Sequence, residues 1–149
     1  MTEIASEAEL LQCFRAVDRG EVEPPARLPS EITDCFAWTF GPRAFLLFRD
    51  RSTALPKGLV FHRNNGAVPD VPAMCEWCHV VRGHGEVKLL SVAIDDRRRV
   101  GLYLCHDLSC VQKARELPGP DDLNVGLASD VRIRKIMQRI GTFASRRLF

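Results

Sequence analysis

The spacing of apolar residues predicts one helix near each end of the chain. In residues 6–19 the apolar side chains recur at three- and four-residue steps, as on one helix face. They are Leu10, Leu11, Phe14 and Val17. Ser6 followed by Glu9 is a capping-box pattern, which marks the start of this helix. A second helix is predicted to begin at Ser129 or Asp130, with a buried stripe of Ile133, Ile136, Met137, Ile140 and Phe143.

Shorter apolar runs between these helices predict β-hairpins. The predicted strands cover residues 44–48, 58–62, 87–94 and 100–104. Asp95 and Asp96 favour a turn, and residues 107–117 are predicted to form a helix that ends before Pro118. Loop-forming residues between 64 and 72 suggest a boundary that separates residues 1–68 from residues 69–149.

Four of the six cysteines form two close pairs. Cys75 and Cys78 are separated by two residues, and Cys105 and Cys110 by four. Zinc in structural sites takes four tetrahedral ligands, and paired cysteines at such spacings supply them. The intervening residues 79–104 have the length of a hairpin. The sequence therefore predicts a zinc site with four thiolates in an α+β fold. Its layout of knuckle, β-hairpin and helix is that of a treble-clef zinc finger, packed with a small N-terminal α/β half and a C-terminal helix.

Other interpretations of these residues remain open at this stage. Cys75 and Cys78 could be a redox pair, although such pairs usually open a helix after a strand. His79 or His106 could replace one thiolate ligand. His84 and Glu86 resemble half of the zinc-deaminase pattern, but they follow the first cysteine pair rather than precede it. Four thiolates would leave no position for a catalytic water, so we expect no enzyme activity and no small-molecule substrate. The isolated Cys13 and Cys35 are predicted to be small buried apolar residues.

The distribution of charge predicts a basic surface near the zinc site. Residues 1–74 contain 8 basic and 10 acidic side chains, whereas residues 75–149 contain 13 and 9. A field of one sign favours an acidic partner, protein or nucleic acid. The residues predicted to bind it are Arg82, Lys88, Arg97, Arg98, Arg99, Arg132, Lys135 and Arg139. Few aromatic residues lie beside the arginines, which disfavours base stacking on RNA. The chain could also be a structural protein without a dedicated partner.

Composition and the N-terminal residues bear on location. Hydrophobic residues make up 46% of the chain, enough for a folded core. The apolar runs are too short to cross a membrane, and the first residues lack the apolar core of a secretory signal. We therefore expect a cytoplasmic protein that does not bind membranes.

The second cysteine pair lies in a distinctive motif. Tyr103, Cys105, Asp107, Leu108 and Cys110 resemble the Tyr-x-Cys-x-Asp-Leu-x-Cys pattern of the elongation factor G-binding proteins, whose best-known members confer fusidic acid resistance. The resemblance is specific over residues 74–112. It implies a treble clef that binds elongation factor G on or near the ribosome. The resistance proteins carry a helical bundle ahead of the zinc domain, whereas this chain predicts a single long helix there. Ribosomal or other RNA is the alternative partner.

Overall fold

In the part of the chain that the structure describes, one central sheet is combined with three α-helices. The computed structural model describes residues 4–29, 31–50, 56–63, 72–83, 85–115 and 129–149. Its elements, besides a 3₁₀ turn at Arg19–Glu21, are α1 Glu7–Gln12, β1 Cys35–Phe40, β2 Arg43–Arg49, β3 Pro56–Arg63, β4 Ala73–Met74, β5 Val81–Arg82, β6 Val87–Ala93, β7 Arg99–Cys105, α2 Cys110–Ala114 and α3 Ser129–Arg147. The mixture of helix and strand confirms the predicted α+β class. Within the described residues, none of the helices combines the length and apolar character that spanning a membrane requires.

Five strands form an antiparallel sheet in the order β1-β2-β3-β6-β7, and β4 pairs with β5 in a separate ribbon. The predicted hairpins are both present, as β2 with β3 and β6 with β7. They are joined by a short pairing in which His62 lies opposite Ser91 and Arg63 opposite Leu90. The sheet thus takes strands from both predicted portions, 1–68 and 69–149. The boundary between those portions stays a prediction.

Each face of the sheet is covered by a different layer. The apolar run at residues 44–48 is buried throughout. Successive side chains of a strand point to opposite faces, so this burial means that both faces of the sheet are covered at β2. On one face Phe45, Leu47 and Val60 pack with Leu10, Phe14 and Ile32 from the N-terminal segment. On the other face the core contains the four paired cysteines, Trp77 and the buried side chains of α2 and α3. The cysteine cluster is therefore part of a core layer.

The N-terminal helix is shorter than its apolar pattern predicts. Ser6 Oγ accepts a hydrogen bond from the backbone N–H of Glu9 at 3.2 Å, which confirms the predicted cap. The helix nevertheless ends at Gln12 instead of continuing to residue 19. The carbonyl of the next residue accepts a hydrogen bond from the Gly58 N–H at 2.9 Å, so the chain is drawn onto β3. As a result Val17 is 45% exposed instead of buried.

The two C-terminal helices follow their predictions in part. The helix α2 begins at Cys110 and not at residue 107, and its predicted end lies outside the described residues. The helix α3 is described from Ser129 onwards, and the residues before it, which would show whether Ser129 or Asp130 caps it, lie outside the described ones. Its stripe contacts the core, with Ile136 and Ile140 fully buried. The other predicted members, which are partly buried, are Ile133, Met137 and Phe143.

Candidate metal centre

The four paired cysteines converge on one point in the core. Their sulfur atoms all lie within 4.8 Å of one another. The Sγ atoms of Cys75 and Cys110 are 3.6 Å apart, as are those of Cys78 and Cys105. A tetrahedral zinc ion with bonds of about 2.3 Å would separate its sulfur ligands by about 3.8 Å. The arrangement therefore fits one zinc ion, and the four residues are buried. A site closed by four thiolates is structural, because it leaves no position for a substrate or a catalytic water.

The first pair lies in a tight turn after β4. The Cys75 N–H donates to the Val80 carbonyl at 3.0 Å, and the Cys75 carbonyl accepts from the His79 N–H at 2.9 Å. His79 adopts a φ of 60°, in the left-handed region, which allows the chain to reverse directly after Cys78. The turn directs both sulfur atoms to the same side.

The second pair joins the end of β7 to the start of α2. The Cys105 carbonyl accepts from the Leu108 N–H at 3.0 Å, and Leu108 has a φ of 58°. Asp107 Oδ1 accepts from the backbone N–H and the hydroxyl of Ser109, at 3.2 and 2.6 Å. Asp107 thus accepts hydrogen bonds from Ser109, the residue that precedes α2, and not from a residue inside the helix. It stabilises the loop that leads Cys110 into the first turn of α2.

The thiols could not all ionise without a cation. Hydrogen bonds from the Cys105 and Cys110 side chains hold the pKa of Cys75 well below its ordinary value, against the effect of burial. The reverse holds for Cys110, whose hydrogen bond to Cys105 and burial keep its pKa well above the ordinary value. A bound zinc ion supplies the positive charge that four buried thiolates need. Burial acts against charging Lys113, but the nearby Cys105 and Asp107 raise its pKa, so it adds a permanent positive charge beside the cluster.

The other candidate ligands lie outside the sulfur cluster. His79 and His106 are partly buried, and neither belongs to the group of side chains that converges among the described residues. The His106 ring contacts Arg63, with Nδ1 at 3.5 Å from Nη1. Glu86 is exposed and faces Arg82 at 3.7 Å, while His84 lies outside the described residues.

The two isolated cysteines are partly buried, where full burial was predicted. Cys13 packs against the N-terminal layer and Cys35 against the cysteine-containing layer. Burial raises the pKa of Cys35 to about 12, so its thiol is protonated and unreactive near neutral pH.

The predicted basic residues of the arginine turn (residues 97–99) lie far from the metal centre along the β6–β7 hairpin. Arg82 and Lys88 lie near the cysteine end of the β6–β7 hairpin, whereas Arg99 lies opposite Ala93 at its other end. That end is six residues along β7 from Cys105, or about 20 Å at 3.3 Å per residue. The remaining side chains of this turn, Arg97 and Arg98, are exposed. Arg98 is paired with Asp95 at 2.8 Å.

One residue of the predicted basic face of α3 is buried instead of exposed. Arg132 is only 4% exposed, so the prediction that it lies opposite the apolar stripe is wrong. It is one turn from Ile136, on the buried side of the helix. Arg139 is partly buried and donates from Nη1 to the Trp77 carbonyl at 2.5 Å, which ties α3 to the zinc-binding turn. Lys135 is exposed.

Sequence reasoning missed three exposed apolar side chains beside the metal centre. Leu89 and Tyr103 lie opposite each other on β6 and β7 and are 45% and 49% exposed. Met74, directly before Cys75, is 43% exposed. The sequence signal for this group was the alternation of side-chain direction along the two strands. It places Leu89 and Tyr103 together on the opposite face from the buried Leu90 and Leu104.

Comparison with known proteins agrees with this geometry. The model of a family described as the FBP C-terminal treble-clef zinc-finger matches residues 9–146, nearly the whole chain. No curated protein and no solved structure matches the chain. The match includes all four metal-binding cysteines and the strands on both sides of residue 68. Since it covers far more than half of the sequence, the chain belongs to the FBP C-terminal treble-clef zinc-finger family.

Proposed function

We propose that this zinc-stabilised binding protein has elongation factor G as its partner, on or near the ribosome. Family membership supports the class of zinc-stabilised binding protein. The choice of elongation factor G rests on the resemblance of the motif that runs from Tyr103 to Cys110.

The observation that carries the proposal is an exposed apolar patch beside the metal centre. This knuckle patch consists of Met74, Leu89 and Tyr103. Glu76 fixes the backbone of Tyr103, because its N–H donates to the Tyr103 carbonyl at 2.8 Å and its carboxylate accepts from the Tyr103 N–H at 2.6 Å. A tyrosine side chain has only two rotatable χ angles and so loses little conformational entropy on binding, and tyrosine is enriched among the residues that dominate interface energies. Single exposed apolar residues are common, but a group of this kind supports a binding surface.

A groove with a basic rim lies on the other side of β7, because Leu102 packs with the cysteine-containing layer and its neighbour Tyr103 faces away from that layer. It has a volume of about 460 Å³, and Glu76 lines it together with residues of β7 and α3. Its apolar lining residues are Trp77, Leu102 and Phe143. Its basic lining residues are Arg139, Arg146 and Arg147. Complementary charge speeds the encounter with an acidic partner and sets its orientation. We therefore expect elongation factor G to contact the protein around the edge of β7, with an apolar residue on the knuckle patch and acidic residues at the groove.

The proposal is tested by calorimetry with purified elongation factor G. We expect the unaltered protein to bind without RNA, and Tyr103→Ala to weaken binding by roughly 10- to 100-fold, as for a central aromatic residue. Phe40→Ala is the matched control, since Phe40 is an equally exposed aromatic residue, at 54%, on the edge strand β1 at the far side of the sheet. It is expected to bind like the unaltered protein.

Paired charge reversals separate this surface from the arginine turn. The double variant Arg146→Glu with Arg147→Glu should bind elongation factor G more weakly. The double variant Arg97→Glu with Arg98→Glu should bind it like the unaltered protein. Ribosomal RNA is included as a competitor. Binding to RNA alone, with a steep dependence on salt, would favour the nucleic-acid alternative. Failure to bind either molecule would reject the proposal.

A further inference from the structure

The outer edge of β1 has the features of a strand-binding edge. β1 is the first strand of the sheet and pairs only with β2 among the described residues. The Arg49 N–H donates to the Asp34 carbonyl at 2.9 Å, which sets the alternation of hydrogen-bonded positions along the hairpin. The even-numbered residues therefore bond to β2. It follows that Cys35, Ala37 and Thr39 direct their N–H and C=O groups away from the sheet.

Natural sheets usually protect such an edge. Proline, lysine, a bulge or a very short strand are the common devices. The sequence of β1 contains six residues without a charge or a proline, and its register with β2 is continuous. An edge of this kind pairs readily with another strand.

A groove runs along this edge. It has a volume of about 440 Å³ and is lined by β1 on one side and by the loop and helix around Cys110 on the other. Residues 35–39 all contribute to the first wall, and the second includes Leu108, Val111 and Gln112. A groove between an edge strand and a helix suits one extended segment, which adds to the sheet through its backbone.

The lining defines the chemistry of the segment. The exposed side chains of the lining are Thr39, Gln112 and Arg115, whereas Leu108 and Val111 are buried, and Cys35 and Ala37 are small. The two charged lining residues already have partners, since Arg115 pairs with Asp34 at 2.7 Å and Asp107 accepts two hydrogen bonds from Ser109. These pairings leave no unpaired charge in the lining to attract a charged guest side chain. An uncharged segment with β-branched side chains, which favour extended backbone, fits best.

We propose that the β1 groove binds an extended, uncharged peptide segment of a partner protein as a sixth strand of the sheet. The site lies at the opposite edge of the sheet from the knuckle patch on β7. It is independent of the function proposed above, and the protein would have two separate binding surfaces.

The test uses hydrogen exchange measured by NMR on the full, zinc-loaded chain. The probe is a heptapeptide of alternating valine and threonine with blocked ends, at millimolar concentration. We expect it to slow exchange at Cys35, Ala37 and Thr39 by roughly tenfold or more, because each of these amides gains an acceptor. The amides of Phe36 and Trp38, which already bond to β2, should not change. The same peptide with N-methyl groups on alternate residues should not bind.

The Ala37→Pro variant tests the edge directly. It removes one outward N–H and leaves the β1–β2 hydrogen bonds in place, so peptide affinity should fall roughly tenfold. Zinc content and melting temperature show whether the variant has folded. The exchange experiment on the unaltered protein tests the proposal even if the variant does not fold. The proposal is overturned if the peptide fails to bind or binds elsewhere. The proposal is also overturned if the three amides exchange slowly without peptide, because the edge is then already covered. A dimer in sedimentation that Ala37→Pro dissociates would overturn it as well, because a second copy of the chain would then be the occupant.

Discussion

Replacing Gly58 by alanine should destabilise the N-terminal layer without affecting zinc. Gly58 is buried in β3 against the ring of Phe14, itself only 1% exposed. A Cβ atom at Gly58 would lie 2.6, 2.6 and 2.7 Å from the Cδ1, Cε1 and Cε2 atoms of that ring. Carbon atoms pack best at about 3.5–4.0 Å, so the ring or the strand would have to move by about 1 Å.

Little room exists for that movement. Phe14 meets the Trp38 ring edge to face, with centroids 6.3 Å apart, and the adjoining backbone is fixed by the hydrogen bond from the Gly58 N–H. Overpacking of a rigid core costs about 1–3 kcal/mol, and we expect a value near 3 kcal/mol here. For a chain of 149 residues this corresponds to a fall in melting temperature of about 6–12 °C.

Thermal unfolding followed by circular dichroism measures the effect. The matched control is Gly20→Ala, because a Cβ at Gly20 would meet nothing within 4 Å. The double variant Gly58→Ala with Phe14→Leu should recover part of the loss, since the smaller side chain relieves the contact. Zinc content should stay at one per chain, because the cysteines lie on the other face of the sheet. A melting temperature within about 1 °C of the unaltered protein would refute the packing argument.

The remaining predictions concern the metal centre. Cys110→Ser should lose zinc by elemental analysis, and a chelator should unfold the layer that contains the cysteines, because ligation contributes on the order of 10 kcal/mol in small zinc domains. An intact fold without metal would contradict this. Asp107→Ala should keep zinc but lose about 1 kcal/mol of stability, since the two hydrogen bonds to Ser109 disappear. An unchanged melting temperature would show that Asp107 does not stabilise the loop.

Local sequence patterns predicted the metal centre and most of the sheet. The cysteine spacing was sufficient because two close pairs at hairpin distance have few uses other than binding one ion. The hairpin strands could be located from runs of apolar residues, and the continuous run at 44–48 is now explained by burial on both faces. These signals depend on residues that are close in the chain.

Features that depend on distant contacts were not predictable in this way. The helix pattern continues past Gln12, but the backbone of Cys13 bonds to Gly58, some 45 residues away, and that contact prevails. Arg132 shares a helix with exposed basic residues, yet its side of the helix packs inward. The knuckle patch was missed because alternation places Leu89 and Tyr103 on one face of the β6–β7 hairpin but does not show which face is left uncovered.

The placement of the cysteines within one layer of the sheet has a consequence for synthesis of the chain. Strands β1 to β3 and the N-terminal segment leave the ribosome first, so one face of the sheet can be covered early. The other face, with Leu46, Phe48 and Phe61, needs all four cysteines and α3. Its apolar surface therefore stays exposed until α3 has been made, and partly folded chains with such surfaces aggregate. We therefore expect the folding of the new chain to depend on the zinc available at that moment.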